Sequence, residues 1–263
     1  MRASAVCSAA VIAAGFTVAL YAQAPATAPT PQAAAPIDLT GYWVSIVDED
    51  WRWRMVTPAK GDYASIPINP AAKKVADTWD PAKDEAAGEQ CKSYGAPAIM
   101  RVPERVHITW QDPNTLKVET DAGEQVRLFH FGAWKAPGGP ATLQGDSVAV
   151  WETPRGAGGG GGGRAGAAPA KPKFGDLKVA TTHIKPGYLR KNGVPFSAQA
   201  ELTEYWDVST EHYLTGSHKD EQWLVITTIL NDPTYLQEEW ITDLHFKKEP
   251  DGSKWDPQPC SAR

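Results

Sequence analysis

From residue 38 onward the chain repeatedly alternates apolar and polar side chains over short stretches, the two-residue period of a half-buried strand. In Val106-His107-Ile108-Thr109-Trp110 the odd member of each pair is polar, so Val106, Ile108 and Trp110 share one face and His107 and Thr109 the other. Nine runs are rich in β-branched and aromatic residues: Gly41 to Val47, Val106 to Trp110, Leu116 to Thr120, Val126 to Phe131, Ser147 to Trp151, Leu177 to Ile184, Leu202 to Val208, Trp223 to Leu230 and Ile241 to Phe246. Trp223 to Leu230 is largely apolar on both faces, as expected of a strand covered on each side. Asp112-Pro113-Asn114 and Asp121-Ala122-Gly123 are turn signals that make Val106 to Phe131 a three-stranded meander. Only Asn69 to Trp79 reads as a helix, with Asn69 as cap, Pro70 at the first helical position and Val75 and Trp79 one turn apart. It should stop before Pro81. The pattern therefore predicts an all-β domain, an antiparallel up-and-down β-barrel or strongly curved sheet with one short helix.

The first residues break this pattern and change the setting. Arg2 is followed by an almost unbroken small and apolar run from Ala3 to Tyr21, the layout of a secretory signal peptide, over residues 1–24 with cleavage between Ala22 and Thr27. A retained membrane anchor is the alternative, although no basic residue closely follows the run. Residues 25–36, nearly all Ala, Pro and Thr, read as a tether. Residues 37–263 form a single β domain interrupted by a glycine-rich insertion at 155–173, which lacks the Gly-Lys-Ser/Thr ending of a phosphate loop. The chain is expected to work in the periplasm or outside the cell, with no integral membrane span after processing. Removing the leader takes away Arg2 and no acidic residue, so the mature domain is slightly more acidic than the formal charge of −5. With no Lys/Arg run, nucleic acid is not an expected partner. Cys7 falls in the leader, which leaves Cys91 and Cys260. In an oxidising compartment these form a disulfide closing a long loop, or else remain two buried thiols.

Eleven tryptophans are the next departure from ordinary composition. Trp51-Arg52-Trp53-Arg54 is the densest cluster; in an extended chain both indoles face one way and both guanidiniums the other. It serves either as a stacking platform for rings with Arg52 and Arg54 holding a carboxylate, or as two core-plugging indoles with surface arginines. His107, His130 and His183 fall on separate strands, without the close pair that a metal site needs, so neither metal nor cofactor is expected. Glu152, Glu204 and Asp232 lie within or at the ends of strands. Glu204 or Glu152 with His183 could form an acid–base pair, while Glu204 could equally form a buried ion pair with Arg127 or Arg190. No nucleophile elbow is present. Gly187 to Ser197, carrying Arg190, reads as a polar loop that could cover a barrel mouth.

Asp38-Leu39-Thr40-Gly41-Tyr42-Trp43, Gly145-Asp146-Ser147 with Trp151-Glu152, Leu177 to Thr182, Leu202-Thr203-Glu204 and Asp232-Pro233-Thr234-Tyr235 together resemble a family of secreted bacterial proteins of unassigned function. That family runs Trp-Glu-Gly-Asp directly into a Leu-x-Val strand; here the insertion separates Glu152 from Gly175-Asp176-Leu177. The resemblance spans most of the mature chain and implies no catalytic residues. Gly41-Tyr42-Trp43 is also similar to the Gly-x-Trp opening of lipocalins, which implies a barrel holding a small ligand. Two functions follow. The first is an exported β-barrel protein binding a small amphipathic or sugar-like ligand, with Trp51, Trp53, Arg52, Arg54, Arg190, Thr182, His107 and His130 as binding residues. The second is a periplasmic hydrolase or lyase using Glu204, Glu152 and His183 at the barrel mouth. A structural role in the envelope, with no ligand cavity, is the third reading.

Overall fold

The computed structural model describes residues 28–153, 175–212, 216–217 and 221–263. The leader and the glycine-rich insertion lie outside the described residues. A one-turn helix, α1 (Pro31–Ala34), precedes β1 (Gly41–Ile46); then come α2 (Trp51–Arg54), α3 (Pro70–Ala76), α4 (Pro81–Ala86), a 3₁₀ turn (Lys92–Tyr94) and α5 (Ala96–Ile99). The remaining elements are β2 (Arg105–Asp112), β3 (Thr115–Thr120), β4 (Val126–Phe131), β5 (Asp146–Glu152), β6 (Asp176–Thr182), β7 (Gly187–Tyr188), β8 (Pro195–Phe196), β9 (Glu201–Ser209), β10 (Glu211–His212), β11 (Gly216–Ser217), β12 (Trp223–Asn231) and β13 (Trp240–Glu249). Nine of these strands close into a barrel in the order β1-β13-β12-β9-β6-β5-β4-β3-β2. They are the nine runs read from the alternation, and the all-β barrel holds.

The ring is a meander with one exception to the up-and-down pattern. An odd number of strands cannot alternate direction all the way round, so one neighbouring pair must be parallel. That pair is β4 and β5, with His130 opposite Val148. A parallel pair needs a connection that travels back along the barrel, and residues 132–145 supply it. The ring closes where the first strand meets the last, Tyr42 opposite Glu249 and Ile46 opposite His245.

Residues 47–104, between β1 and β2, form a helical appendage over one end of the barrel. Pro70 starts α3, and the Asn69 side chain accepts from the Ala71 and Ala72 N–H groups, as the sequence indicates. The buried face is Ala72 and Ala76, while Val75 is exposed, which corrects the apolar face expected of Val75. Trp79 packs instead against Gly193, where an added Cβ would lie 2.2 Å from the Trp79 Cβ and 2.5 Å from its indole ring. Gly187 to Ser197 is likewise not a solvated loop. It contains the small hairpin of β7 and β8, whose Leu189, Val194 and Phe196 join Tyr63, Ile66, Leu202, Leu230 and Trp240 in a second core. Since Leu230 pairs with Trp240 and with Leu202, this core sits where β9 and β13 begin and β12 ends. Residues 28–36 dock against the barrel: Trp151 Nε1 donates to the Pro31 carbonyl and the Gln32 N–H to that of Pro113. Cys91 and Cys260 are joined, 169 residues apart, tying the appendage to the C-terminal segment. That segment pairs back through Gln258, which exchanges backbone bonds with Asp121 and Gly123.

Side chains fill the barrel. Phe129 of β4 meets Trp206 of β9 edge to face, 5.2 Å between centroids, although three strand boundaries separate them around the wall. Beside them Arg127 Nη1 and Nη2 donate to Glu204 Oε1 and Oε2 at 2.9 and 2.5 Å, with both side chains at 0% exposure. Trp43, Leu116, Leu224 and Phe246 complete an apolar layer, while the Ser147–Thr181 and Thr228–Thr242 hydroxyl pairs lie on other inward positions. Removing one partner of a buried pair strands the other charge. Arg127→Met or Glu204→Met alone should therefore lower stability by about 3–5 kcal/mol, and the Arg127→Met/Glu204→Met double variant far less than the sum. Urea unfolding of the three variants measures this; additive losses would contradict it.

Candidate ligand-binding site

The appendage and the β7–β8 hairpin enclose a cleft of about 250 Å³. One wall is α2 and the residues after it, a second is α5 through Pro103, and the third is the hairpin turn at Leu189–Lys191. In α2 successive side chains are rotated by about 100°, so its two indoles diverge, a correction to the extended geometry expected of Trp51 to Arg54. Trp51 points outward at 65% exposure. Arg52 pairs on the surface with Asp62 at 3.2 Å. Trp53 and Arg54 turn into the cleft, where they meet Arg101 and Arg190.

Two guanidiniums thus reach one carboxylate, with Arg54 beside them among Asp48, Glu49 and Asp50. Asp50 precedes α2 in the left-handed region, φ 51°. Its Oδ2 accepts from Arg101 Nη2 at 2.5 Å and Ser65 Oγ at 3.2 Å, and lies 3.9 Å from Arg190 Nη2. Arg54 is held by neutral acceptors, Nε donating to the Arg101 carbonyl at 2.9 Å and Nη2 to Ser45 Oγ at 3.3 Å. Arg190 Nη1 donates to the Ala64 carbonyl at 2.6 Å, and its guanidinium lies 5.2 Å from the centre of the Trp53 ring. Arg101 lies over Trp240 at 4.7 Å, and its Nη1 is buried without a hydrogen-bond partner. Burial, and then the charge of Arg101, hold Arg54 and Arg190 each down to about 10; burial also lowers Arg101. The sequence exposed Arg54, Arg190 and Trp53 as candidates but missed Arg101 and Asp50. The available signal was a lone arginine closing the apolar run Ala96 to Met100.

Glu104 lies between the cleft and the barrel. Its carboxyl is buried, neither oxygen has a partner, and burial, with Asp121 adding to it, raises its pKa well above 4.5 against the pull of Arg127 and Arg54. A second, shallower groove lies on the outer wall where residues 132–145 rejoin the sheet. Gly145 comes so close to β6 that a Cβ would lie 2.5 Å from the Thr182 carbonyl, and His183 turns left-handed, φ 56°. Its Nδ1 reaches Asp146 Oδ2 at 2.9 Å, beside Trp134, Val148 and Thr182.

The structure does not bring the three proposed acid–base residues together. Glu204 is sealed in the barrel with Arg127, Glu152 is on the surface 3.5 Å from Lys178, and His183 has Asp146 as its carboxylate. His107 stacks on Tyr42 at 4.0 Å and lies 3.4 Å from Glu119. His130 stacks on Trp134 at 4.0 Å, and burial lowers its pKa. Neither histidine lines the cleft. Asp232 caps a turn by accepting from the Ser197 N–H and hydroxyl. Among the described residues, no cluster of three His, Cys, Asp or Glu side chains is placed to hold a metal ion.

A carboxyl with a raised folded pKa binds more protons folded than unfolded. Its contribution to stability is full below about pH 4.5 and is lost as pH rises through its folded pKa. Glu104→Gln should flatten the decline of stability with pH above 4.5, read as the difference between variant and wild-type urea midpoints; parallel profiles would contradict it. Comparison of the chain with known protein families, curated proteins and solved structures gave no match, so its function is read from the cleft and the groove themselves.

Proposed function

We propose that the protein is an exported β-barrel protein that binds a small amphipathic ligand in the cleft between the appendage and the β7–β8 hairpin. The carrying observation is the juxtaposition of the Trp53 ring, three guanidiniums and the apolar walls of Val102 and Leu189 around about 250 Å³. The filled interior argues against a ligand among the strands. The volume suits a small molecule, since pockets for drug-sized ligands run from roughly 300 Å³ upward. Export is supported by the apolar leader, the Cys91–Cys260 bridge and the resemblance to secreted proteins. Among the described residues no helix is long and apolar enough to cross a membrane. Mass spectrometry of small molecules co-purifying with the native protein should find a species that Arg190→Gln loses and Glu152→Gln keeps. A species retained equally by both variants does not occupy the cleft.

The His183–Asp146 contact favours a second reading, a hydrolase or lyase acting in the outer groove. A carboxylate on Nδ1 orients the imidazole and leaves Nε2 as a base toward the groove. Glu204 has no part in that version. Any hydrolysis found in a nitrophenyl-ester screen should then fall about 100-fold or more in His183→Ala; unchanged rates would remove the groove from consideration.

A further inference from the structure

The outer groove extends beyond the His183–Asp146 pair. One lobe of about 450 Å³ is lined by His183, Thr182 and Val148, and a second of about 550 Å³ by His130, Thr142 and Leu128; Trp134 and Asp146 border both. His130 lies flat against the Trp134 indole, 4.0 Å between ring centres with the planes 8° apart. That stack braces one face of the indole. Because His130 lines only the second lobe, the opposite face is left toward the first. Val148, 43% exposed, continues the apolar floor beside it. Polar groups rim this floor: Thr182 and the Asp146–His183 pair at 2.9 Å in one lobe, Thr142 in the other. Both members of the pair stay accessible, their side chains 22% and 42% exposed. Among the described residues no Lys or Arg lines either lobe, and Asp146 is the one acid that does.

We infer that this groove binds a neutral oligosaccharide, one ring stacked on Trp134 and its neighbour carried past Asp146 into the second lobe. Binding there takes the groove of the second reading as its site and does not need His183 to act as a base. A pyranose ring offers C–H groups on its face and hydroxyls round its edge. The C–H groups suit the electron-rich face of an indole. The hydroxyls can donate to Asp146 and to the His183 Nε2, and exchange hydrogen bonds with Thr182. A bare aromatic or alkyl ligand would cover the same floor but leave those polar groups dehydrated and without partners, which is costly. An anionic ligand would meet Asp146 with no Lys or Arg in the lining to offset it. Two lobes flanking one indole are filled by linked rings, not by a single one.

Titration of the intact protein with cellotriose, maltotriose and chitotriose, followed by the indole N–H signals in NMR, tests this. At least one trisaccharide should bind about tenfold or more tightly than its own monosaccharide, and Trp134→Ala should weaken it about tenfold or more. Ala180→Arg puts a long side chain into the first lobe from an exposed strand position and should weaken it too. That variant keeps the test open should Trp134→Ala fail to fold, as checked by circular dichroism. Trigalacturonic acid should bind more weakly than the best neutral trisaccharide; equal or tighter binding would overturn the neutral assignment. A trisaccharide held no more tightly than its monosaccharide would overturn the linked rings as ligand. No binding of any of the three, binding indifferent to both Trp134→Ala and Ala180→Arg, or binding lost in Trp51→Ala, which removes an exposed indole outside the groove, would overturn the site. Trisaccharide binding without ester hydrolysis supports this site and removes the second reading, whereas hydrolysis without trisaccharide binding does the reverse.

Discussion

The Arg127–Glu204 pair is the constraint around which the barrel is arranged. A bidentate ion pair spanning the lumen fixes the separation of two non-adjacent walls and requires neighbours that exclude water without competing for its hydrogen bonds. Phe129 and Trp206, each two residues farther along the same strands, lie next to it. The Arg127 guanidinium lies 4.9 Å from the Phe129 ring centre, so the cation is covered by an aromatic face as well as by its carboxylate. A barrel crossed in this way has its interior committed to structure. The open cleft lies instead at the end of the barrel, where the chain has inserted the appendage and the β7–β8 hairpin.

The strands were legible because their signal is local. Each of the nine runs carries its own period and its own turns, and no distant residue is needed to read it. Legibility failed where one side of a contact lay far away in sequence. Trp51 to Arg54 has the composition of a strand and forms a helical turn under Asp50, whose left-handed backbone is held by Arg101 and Ser65. Gly187 to Ser197 looks polar because Arg190, Lys191 and Asn192 are polar. It is buried because Asn192 donates to the Ala59 and Asp62 carbonyls and Arg190 to that of Ala64. Glu204 was readable as one half of an ion pair with Arg127, but its seclusion from His183 depends on which face of β9 points inward. The parallel β4–β5 pair follows from strand parity only once closure is known.

The candidate site shares that character. Its walls come from residues 53–58, 93–103 and 189–191, so no single stretch carries a motif. The Cys91–Cys260 bridge lies two residues from Ser93 in one wall, which places a covalent anchor beside the cleft. Net charge was equally uninformative: an acidic chain gathers three arginines at one end of its barrel, and only local geometry reveals that grouping.

The seam between β1 and β13 has a consequence for how the protein is made. The two strands that close the ring lie near opposite ends of the described chain, and until the second arrives the meander is an open sheet with two unpaired edges. A chain lacking β13 loses the partner of both β1 and β12, so no shortened barrel of the same register exists. Closure therefore waits for residues near the C-terminus, as does the bridge through Cys260. Until β13 is in place, the free edges of β1 and β12 are open to pairing with other chains.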